Sequence, residues 1–376
     1  MTRPNVFFGT LKDTDIDFFT GVPDSLLKSF CAYVTDNTTE KNHVIASNEG
    51  AAVGLAIGYH LSTGKIPLVY FQNSGLGNAI NPLMSLADSD VYSIPMLLLI
   101  GWRGEPGVPD EPQHVKQGRV LLEKLDAMEI PYWVLSGEEE DDLQSLQSAV
   151  LSARENNFPV ALVAKKGSFA PYLQPEKEAS SLPLSREEGI QRIIDCTSTD
   201  DIIVATTGMA SRELFEYRAH CDQGHQRDFL TVGGMGHTSQ IALGISMQKP
   251  DRRVICLDGD GAALMHLGSM AIIGSSKCHN FKHIILNNGA HDSVGGQPTV
   301  GFTVSLSEIA KSCGYIRSDV VDNAEDLEQS LKEFLSSDGP ALLEVKIKTG
   351  NRKDLGRPTI SPTQNKENFM RFIQSS

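Results

Sequence analysis

Leu257-Asp258-Gly259-Asp260-Gly261 is separated by 25 residues from Asn287-Asn288. The apolar run Arg253–Leu257 reads as a buried strand, Ala263–Ser275 as a helix and His283–Leu286 as the next strand. Such a unit belongs to a parallel sheet, and it sets a carboxylate and a carboxamide on adjacent loops at the carboxyl edge. Open α/β sheets bind their ligands at that edge. Glycines on both sides of Asp260 let a diphosphate approach the backbone, and the start of the following helix offers unpaired N–H groups. An acid, an amide and a nearby carbonyl, completed by phosphate oxygens, suit octahedral magnesium. Read alone, Gly-Asp-Gly is equally an ordinary turn; the Asn pair at the next strand end adds the chemistry.

Outward from this unit the same alternation continues. In the second half, strands are expected at Asp201–Ala205, Phe229–Val232 and Ala341–Ile347, with helices at Arg186–Cys196, Gly208–Tyr217, Thr238–Met247, Leu306–Cys313 and Ala324–Leu335. The first half repeats the pattern, with strands at His43–Ala46, Pro67–Phe71, Pro95–Ile100, Tyr132–Leu135 and Pro159–Ala164. Its helices are expected at Ser25–Val34, Glu49–Thr63, Asn78–Ala87 and Gly118–Ala127. Short apolar runs between helical patterns imply parallel sheets covered by helices on both faces, an α/β class. Between the halves, PYLQPEKEASSLP (171–183) carries three prolines, charges and serines and reads as a linker. The expected division is a first domain over 1–170, a linker over 171–184 and a second domain over 185–376.

A formal charge of −14 argues against a nucleic-acid footprint and against attraction to a membrane surface. Six scattered cysteines form no CxxC pair, so neither a zinc site nor a disulfide framework is expected. The acid-interrupted start is a poor signal peptide, no apolar run is long enough to span a bilayer, and a cytoplasmic location is the expectation.

Gly-Asp-Gly, the spacing and Asn-Asn together resemble the cofactor motif of thiamine-diphosphate-dependent enzymes, and the resemblance extends over essentially the whole chain. It implies two thiamine-diphosphate-binding-fold domains, pyrimidine-binding then diphosphate-binding, with thiamine diphosphate and Mg²⁺ as cofactors. The metal would be held by Asp260, Asn288 and the backbone oxygen of Ala290, with Gly259, Gly261 and Ala262 beside the diphosphate. Ala46-Ser47-Asn48-Glu49-Gly50 resembles the element whose glutamate pairs with the pyrimidine ring, so Glu49 would favour the imino tautomer that removes the C2 proton. A helix-start acid favoured by the macrodipole is its plainer reading. Val232-Gly233-Gly234-Met235-Gly236-His237 resembles the loop that bends the cofactor, with Met235 between the rings and the Gly233 carbonyl on the amino group. Met235 could equally be core filling. Thr206-Thr207-Gly208 would touch the diphosphate. Asp258 would tune the cofactor or the metal shell, or be a solvated strand-end acid.

The order of the two domains and the lack of a middle domain resemble a minimal member of the decarboxylase family. Gly21-Val22-Pro23-Asp24-Ser25 and the loop from Gly101 to His114 resemble segments of pyruvate decarboxylases, and the resemblance implies Asp24 and His114 as proton handlers after CO₂ loss; a plain N-cap and a surface histidine are the alternatives. Ser25, Asn73 and Ser74, the last two in Gln72-Asn73-Ser74-Gly75-Leu76-Gly77-Asn78, which resembles the glycine loop facing the substrate, would lie at the substrate. With the cation patch Arg352, Lys353 and Arg357, these segments resemble decarboxylases of phosphonopyruvate and sulfopyruvate. A phosphonate suits arginine forks, although the patch could be a solvated turn. The implied reaction is non-oxidative decarboxylation of 3-phosphonopyruvate to phosphonoacetaldehyde and CO₂ through a thiamine-diphosphate enamine, in 2-aminoethylphosphonate-type biosynthesis. Fusion of both halves in one chain favours it over sulfopyruvate. An acetolactate-synthase-like carboligase and a non-catalytic thiamine-diphosphate-binding protein are further alternatives. The expected partners are a small anionic 2-oxo acid and a second copy of the chain, in a homodimer or higher homo-oligomer with sites shared between subunits.

Overall fold

The computed structural model describes residues 1–174 and 180–375. The chain forms two compact units, residues 1–177 and 178–376. Of the expected linker, 175–179 lie outside the described residues.

The first unit holds β1 (Phe19–Gly21), β2 (His43–Ile45), β3 (Leu68–Gln72), β4 (Met96–Gly101), β5 (Tyr132–Leu135) and β6 (Pro159–Ala164). They form one parallel sheet in the order β2-β1-β3-β4-β6-β5. Because successive strand residues face opposite sides, Leu68, Tyr70, Leu97 and Leu99 enter one core, while Val69, Phe71, Leu98 and Ile100 enter another. The first core is closed by α1 (Pro4–Asp13), α2 (Lys28–Asn37) and α7 (Glu139–Asn156), through Phe7, Phe30 and Leu146 among others. The second is closed by α3 (Glu49–Thr63), α4 (Leu76–Pro82) and α6 (Leu121–Ala127), while α5 (Pro112–Arg119) lies between β4 and α6 in the chain. Each fully buried leucine or isoleucine here contributes about 1.5–3 kcal/mol.

The second unit repeats the scheme with β7 (Ile202–Ala205), β8 (Asp228–Leu230), β9 (Val254–Gly259), β10 (Phe281–Asn287), β13 (Arg317–Val321) and β14 (Ala341–Lys346), in the parallel order β13-β14-β10-β9-β7-β8. A short hairpin of β11 (Ala290–His291) and β12 (Gln297–Pro298) follows β10. Ile203, Ile255, Leu257 and Leu286 pack under α8 (Arg186–Asp195), α9 (Met209–His220) and α14 (Ala324–Ser336). Val204, Val254, Cys256 and Ile285 pack under α10 (Thr238–Gln248), α12 (Ser269–Ser276), α13 (Leu306–Ser312) and α15 (Pro362–Gln374). The turn α11 (Asp260–Met265) leaves β9 at the Gly-Asp-Gly.

Several elements differ from the expectations. The helix after Gly21-Val22-Pro23 begins at Lys28 rather than Ser25, because residues 25–27 form a turn on Asp24. Pro112 occupies the first turn of α5, so His114 lies on a helix and not in the polar loop. A turn at Val120 then separates α5 from α6, interrupting the helix expected over Gly118–Ala127. The helix expected over Asn78–Ala87 becomes a 3₁₀ turn (Asn73–Gly75), α4 and a π-turn (Leu83–Ala87) around the internal Pro82. The helix expected over Ala263–Ser275 is interrupted after Met265 and resumes as α12. α7 escaped the reading because its first turn is Glu139, Glu140, Asp141 and Asp142 and its apolar stripe is thin. That acidic turn is what a helix N-terminus favours. Also unforeseen were α1, β1, β13 and α15.

Candidate active site

In the first unit, the loops leaving β2, β1, β3 and β4 share the carboxyl edge. Glu49 opens α3, whose N-terminus is capped by Asn48 accepting from the Ala51 N–H. The Glu49 side chain is buried, and its Oε2 accepts from Asn78 Nδ2 at 2.7 Å. Burial pushes its carboxyl above the usual range, opposed by the Asn78 hydrogen bond. Glu49 packs directly against Gly75, where any side chain would collide with the carboxyl.

Asp24 is fully buried beyond β1. Its Oδ1 accepts from Gln72 Nε2 at 2.7 Å and its Oδ2 from the Leu26 N–H at 3.0 Å. Gly101, ending β4, supplies the space for this carboxyl just as Gly75 does for Glu49. Burial raises Asp24, against the pull of Gln72 and of the Arg103 charge. His114 is buried with Nδ1 unpartnered, and burial together with Arg103 pushes it down to about 4, leaving a neutral ring at pH 7. Asn73 is buried and holds the Arg103 backbone from both sides, Nδ2 donating to its carbonyl at 2.8 Å and Oδ1 accepting from its N–H at 3.2 Å. Ser25 accepts from Arg103 Nη1, and the exposed Ser74 donates to Gln72.

In the second unit, Asp260 is buried at the start of α11, and its Oδ2 accepts from the Thr299 hydroxyl. Burial pushes the Asp260 carboxyl up to about 6. Asn288 follows β10 and is held by Asp292, whose Oδ2 accepts from Asn288 Nδ2 at 2.7 Å, from Arg186 Nη1 at 3.2 Å and from the Gly350 N–H at 2.8 Å. Asn288 Oδ1 accepts from the Ala290 N–H at 3.0 Å. The partner residue Asn287 is structural, donating to Gly301 and Glu344. Thr206, at the end of β7, has a buried hydroxyl with no protein partner. Thr207 is half-buried beside it, and Gly208 takes a positive φ of 96°.

The Met235 loop lies against this site. A Cβ at Gly236 would strike His266, and one at Gly261 would come 3.4 Å from Met235 and 3.0 Å from His291. Met235 therefore borders the Gly-Asp-Gly turn instead of filling the core, and Gly233 precedes it in the same loop. Gly259 and Ala262 lie on either side of Asp260 and Gly261. The donors here are all oxygens: a buried carboxylate whose pKa is raised by burial, a carboxamide and the Ala290 carbonyl. They fit a hard divalent ion, and the unpartnered Thr206 hydroxyl fits an anion at the same edge.

Other expected positions fall elsewhere. Asp258 is not solvated; it is fully buried, between the Gly259 N–H and His283, which reaches on to Tyr315. Arg352 is paired with Glu187, Glu216 and Asp354, while Lys353 and Arg357 are exposed. Arg103 and Asp292 had no expected role, and Gly75 and Asn78 were expected only within the loop facing the substrate, not as the seat and donor of Glu49. No helix among the described residues is long and apolar enough to cross a membrane.

Residues 1–130 match the family described as "Thiamine pyrophosphate enzyme, N-terminal TPP binding domain", and 206–345 match "Thiamine pyrophosphate enzyme, C-terminal TPP binding domain". The chain belongs to the thiamine pyrophosphate enzyme family. Within it, the chain is 33% identical over 371 residues to a phosphonopyruvate decarboxylase of Streptomyces viridochromogenes, covering 94% of this chain and 90% of the relative. It is 32% identical to one of Streptomyces hygroscopicus, over 94% of this chain and 89% of that one. A sulfopyruvate decarboxylase of Methanosarcina acetivorans is 28% identical, with 96% of this chain and 94% of the relative covered.

Proposed function

We propose that this chain decarboxylates 3-phosphonopyruvate to phosphonoacetaldehyde and CO₂ as a cytoplasmic thiamine-diphosphate enzyme. The observation that carries the reading is the match at 33% identity, spanning 94% of the chain, to a phosphonopyruvate decarboxylase. Fusion of the two halves does not by itself discriminate, because the Methanosarcina sulfopyruvate relative also spans both. That relative keeps sulfopyruvate as the second reading.

Asp260, Asn288 and the Ala290 carbonyl would hold Mg²⁺, with Thr206, Thr207 and Gly208 on the diphosphate. Bound thiamine diphosphate supplies the electron sink for the broken carbon–carbon bond. Glu49, whose burial favours the protonated carboxyl, holds a proton for the pyrimidine ring nitrogen. Asp24 is suited to deliver a proton after CO₂ leaves, since burial disfavours its charged form. A neutral His114 is suited to accept a hydrogen bond, and it is the weaker acid candidate because its pKa is pushed down.

The two site halves lie on separate units of the chain, and we assign each complete site to two copies in a closed dimer. Leu55 and Leu61 stand exposed on α3, the helix that Glu49 opens, which supports its packing on a second copy. The test of the function is CO₂ release from phosphonopyruvate, sulfopyruvate and pyruvate at limiting concentration with Mg²⁺ and cofactor. Phosphonopyruvate should show the highest kcat/KM. A higher value for sulfopyruvate would shift the assignment to the second reading, and release from none of them would refute it.

A further inference from the structure

An acid carrying a phosphonate needs a cation at its far end, and the tail does not offer one simply: Arg352 is already engaged by three acids. At the carboxyl edge of the first sheet stands a different cation, directly after β4. Arg103 is largely buried, its side chain 19% exposed. Nε and Nη2 donate to the two oxygens of Asp110 at 2.8 and 2.5 Å, and Nη1 donates to Ser25 Oγ at 2.7 Å.

This arginine is fixed before any ligand arrives. Asn73 clamps its backbone from both sides. Gly104 and Gly118 pack backbone on backbone, so closely that a Cβ on either would strike the other segment. Trp102 Nε1 closes the same loop by donating to the Gly118 carbonyl at 2.8 Å.

Asp110 is the bidentate partner of Arg103, and it also accepts from the Gly104 and Glu111 N–H groups, both at 2.8 Å. Burial opposes its ionisation, but Arg103 and these N–H groups outweigh it and hold the carboxyl well below the usual range. Asp110 is therefore an anchor with four donors of its own, and its pairing takes one edge of the guanidinium. Asp110 and Ser25 together take three N–H groups, and the remaining fork is not used by them. The Ser25 hydroxyl, accepting from Nη1, keeps its own hydrogen to donate. Lys165, which follows β6 at the same edge, is more exposed and pairs with Glu105.

We infer that Arg103 and the Ser25 hydroxyl form the receptor for the substrate's phosphonate, or sulfonate, group. Arg103 thereby sets the preference for an acid with a tetrahedral oxyanion at its far end over pyruvate. This rests on the proposed decarboxylase reading for its substrate, but its geometry is independent of catalysis.

Two measurements separate the claims. First, binding of phosphonoacetate, which has the phosphonate but no 2-oxo group to react, is measured by calorimetry on the cofactor-loaded protein. Arg103→Met paired with Asp110→Asn, which avoids a stranded acid, should weaken binding by roughly 10- to 100-fold, the range for charge-assisted hydrogen bonds. Ser25→Ala, which leaves the Arg103–Asp110 pair intact, should weaken it less, and Arg103→Lys should restore part. Second, kcat/KM of the Arg103 variants should fall far more for phosphonopyruvate than for pyruvate, the part lost equally by both being the effect of the Arg103 charge on Asp24 and His114. Phosphonoacetate binding that ignores Arg103 and Ser25, absence of binding to the wild-type protein, or equal losses for both substrates would overturn the inference. Arg103-dependent binding without CO₂ release from any 2-oxo acid would instead overturn the proposed function and leave the anion receptor standing.

Discussion

Gly75→Ala is expected to disable the Glu49 carboxyl without touching it. Gly75 has φ −76° and ψ −14°, a conformation alanine adopts freely, so the backbone gives no reason for glycine. The reason is steric: a Cβ there would stand 2.1 Å from Glu49 Oε1, 2.4 Å from Cδ and 2.6 Å from Cγ. Ordinary carbon–oxygen contact requires the carboxyl end to retreat by roughly 1 Å or more. Glu49 is packed at 5% exposure and bonded to Asn78, so it cannot yield without changing rotamer and stretching that bond. A reacting group displaced by about 1 Å loses on the order of a hundredfold in rate. The assay is hydrogen–deuterium exchange at C2 of the bound cofactor, followed by rapid quench and NMR, beside calorimetric cofactor binding. Gly75→Ala should slow exchange about a hundredfold, toward the level of Glu49→Gln, while cofactor affinity falls less than in Asp260→Ala. Wild-type exchange in Gly75→Ala would refute both the seat and the role given to Glu49.

Asp260→Ala should abolish Mg²⁺-dependent retention of the cofactor with the fold intact. In the wild type, protons compete for a carboxyl pushed up to about 6. Mg²⁺ affinity should therefore fall as pH drops through that value, approaching about tenfold per pH unit, and a flat Mg²⁺ titration series would contradict the ligand assignment. Asp292→Ala removes the acceptor that orients Asn288 and should weaken Mg²⁺ by about 10- to 100-fold, read as the Mg²⁺ concentration for half-maximal cofactor binding; an unchanged midpoint would show that Asp292 serves only Arg186 and Gly350. Mixing inactive Glu49→Gln with inactive Asp260→Ala, after dissociation and reassociation, should restore up to about a quarter of wild-type activity, as random two-fold pairing allows. Heterodimers that form yet stay inactive would place each site within one chain.

The strand–helix alternation and the spacing from Gly-Asp-Gly to Asn-Asn made both α/β units legible, because buried parallel strands must be short apolar runs. Legibility ended where loops meet across a sheet. The order β2-β1-β3-β4 is not the order in the chain, and only that order sets Gln72 on Asp24 and Asn73 on Arg103. Spacing says which loop leaves which strand, not which loop it faces. Arg103 was hidden for the same reason: its partner Asp110 is local in sequence, but Ser25 and Asn73 come from other strands. His114 was misplaced because the polar stretch around it carries no apolar period, and only Pro112 marks the helix start. The cation patch Arg352–Arg357 looked free because its acids, Glu187 and Glu216, lie on α8 and α9.

Burial raises Asp24, Glu49 and Asp260 alike, yet their neighbours suit the three acids to the different work proposed for them. The main donors to Glu49 and Asp24 are the neutral carboxamides of Asn78 and Gln72, and a glycine opens the space beside each acid. A carboxyl held that way can gain or lose a proton without breaking an ion pair, which a proton-handling group needs. Asp260 instead has the Thr299 hydroxyl beside it and further oxygen donors on the next loop, and no described cation pairs with it. Burial raises its pKa as it does for the other two, so it is the oxygen-only surroundings, not the shift, that set Asp260 apart. The fully paired acids make the contrast: Asp228 is buried against Arg218 through two hydrogen bonds, and Glu213 against Arg186 likewise. Breaking such a buried pair costs about 3–5 kcal/mol, so those acids are locked into the fold. The three acids proposed for chemistry are thus held by neutral donors, in contrast to Asp228 and Glu213, each locked to an arginine.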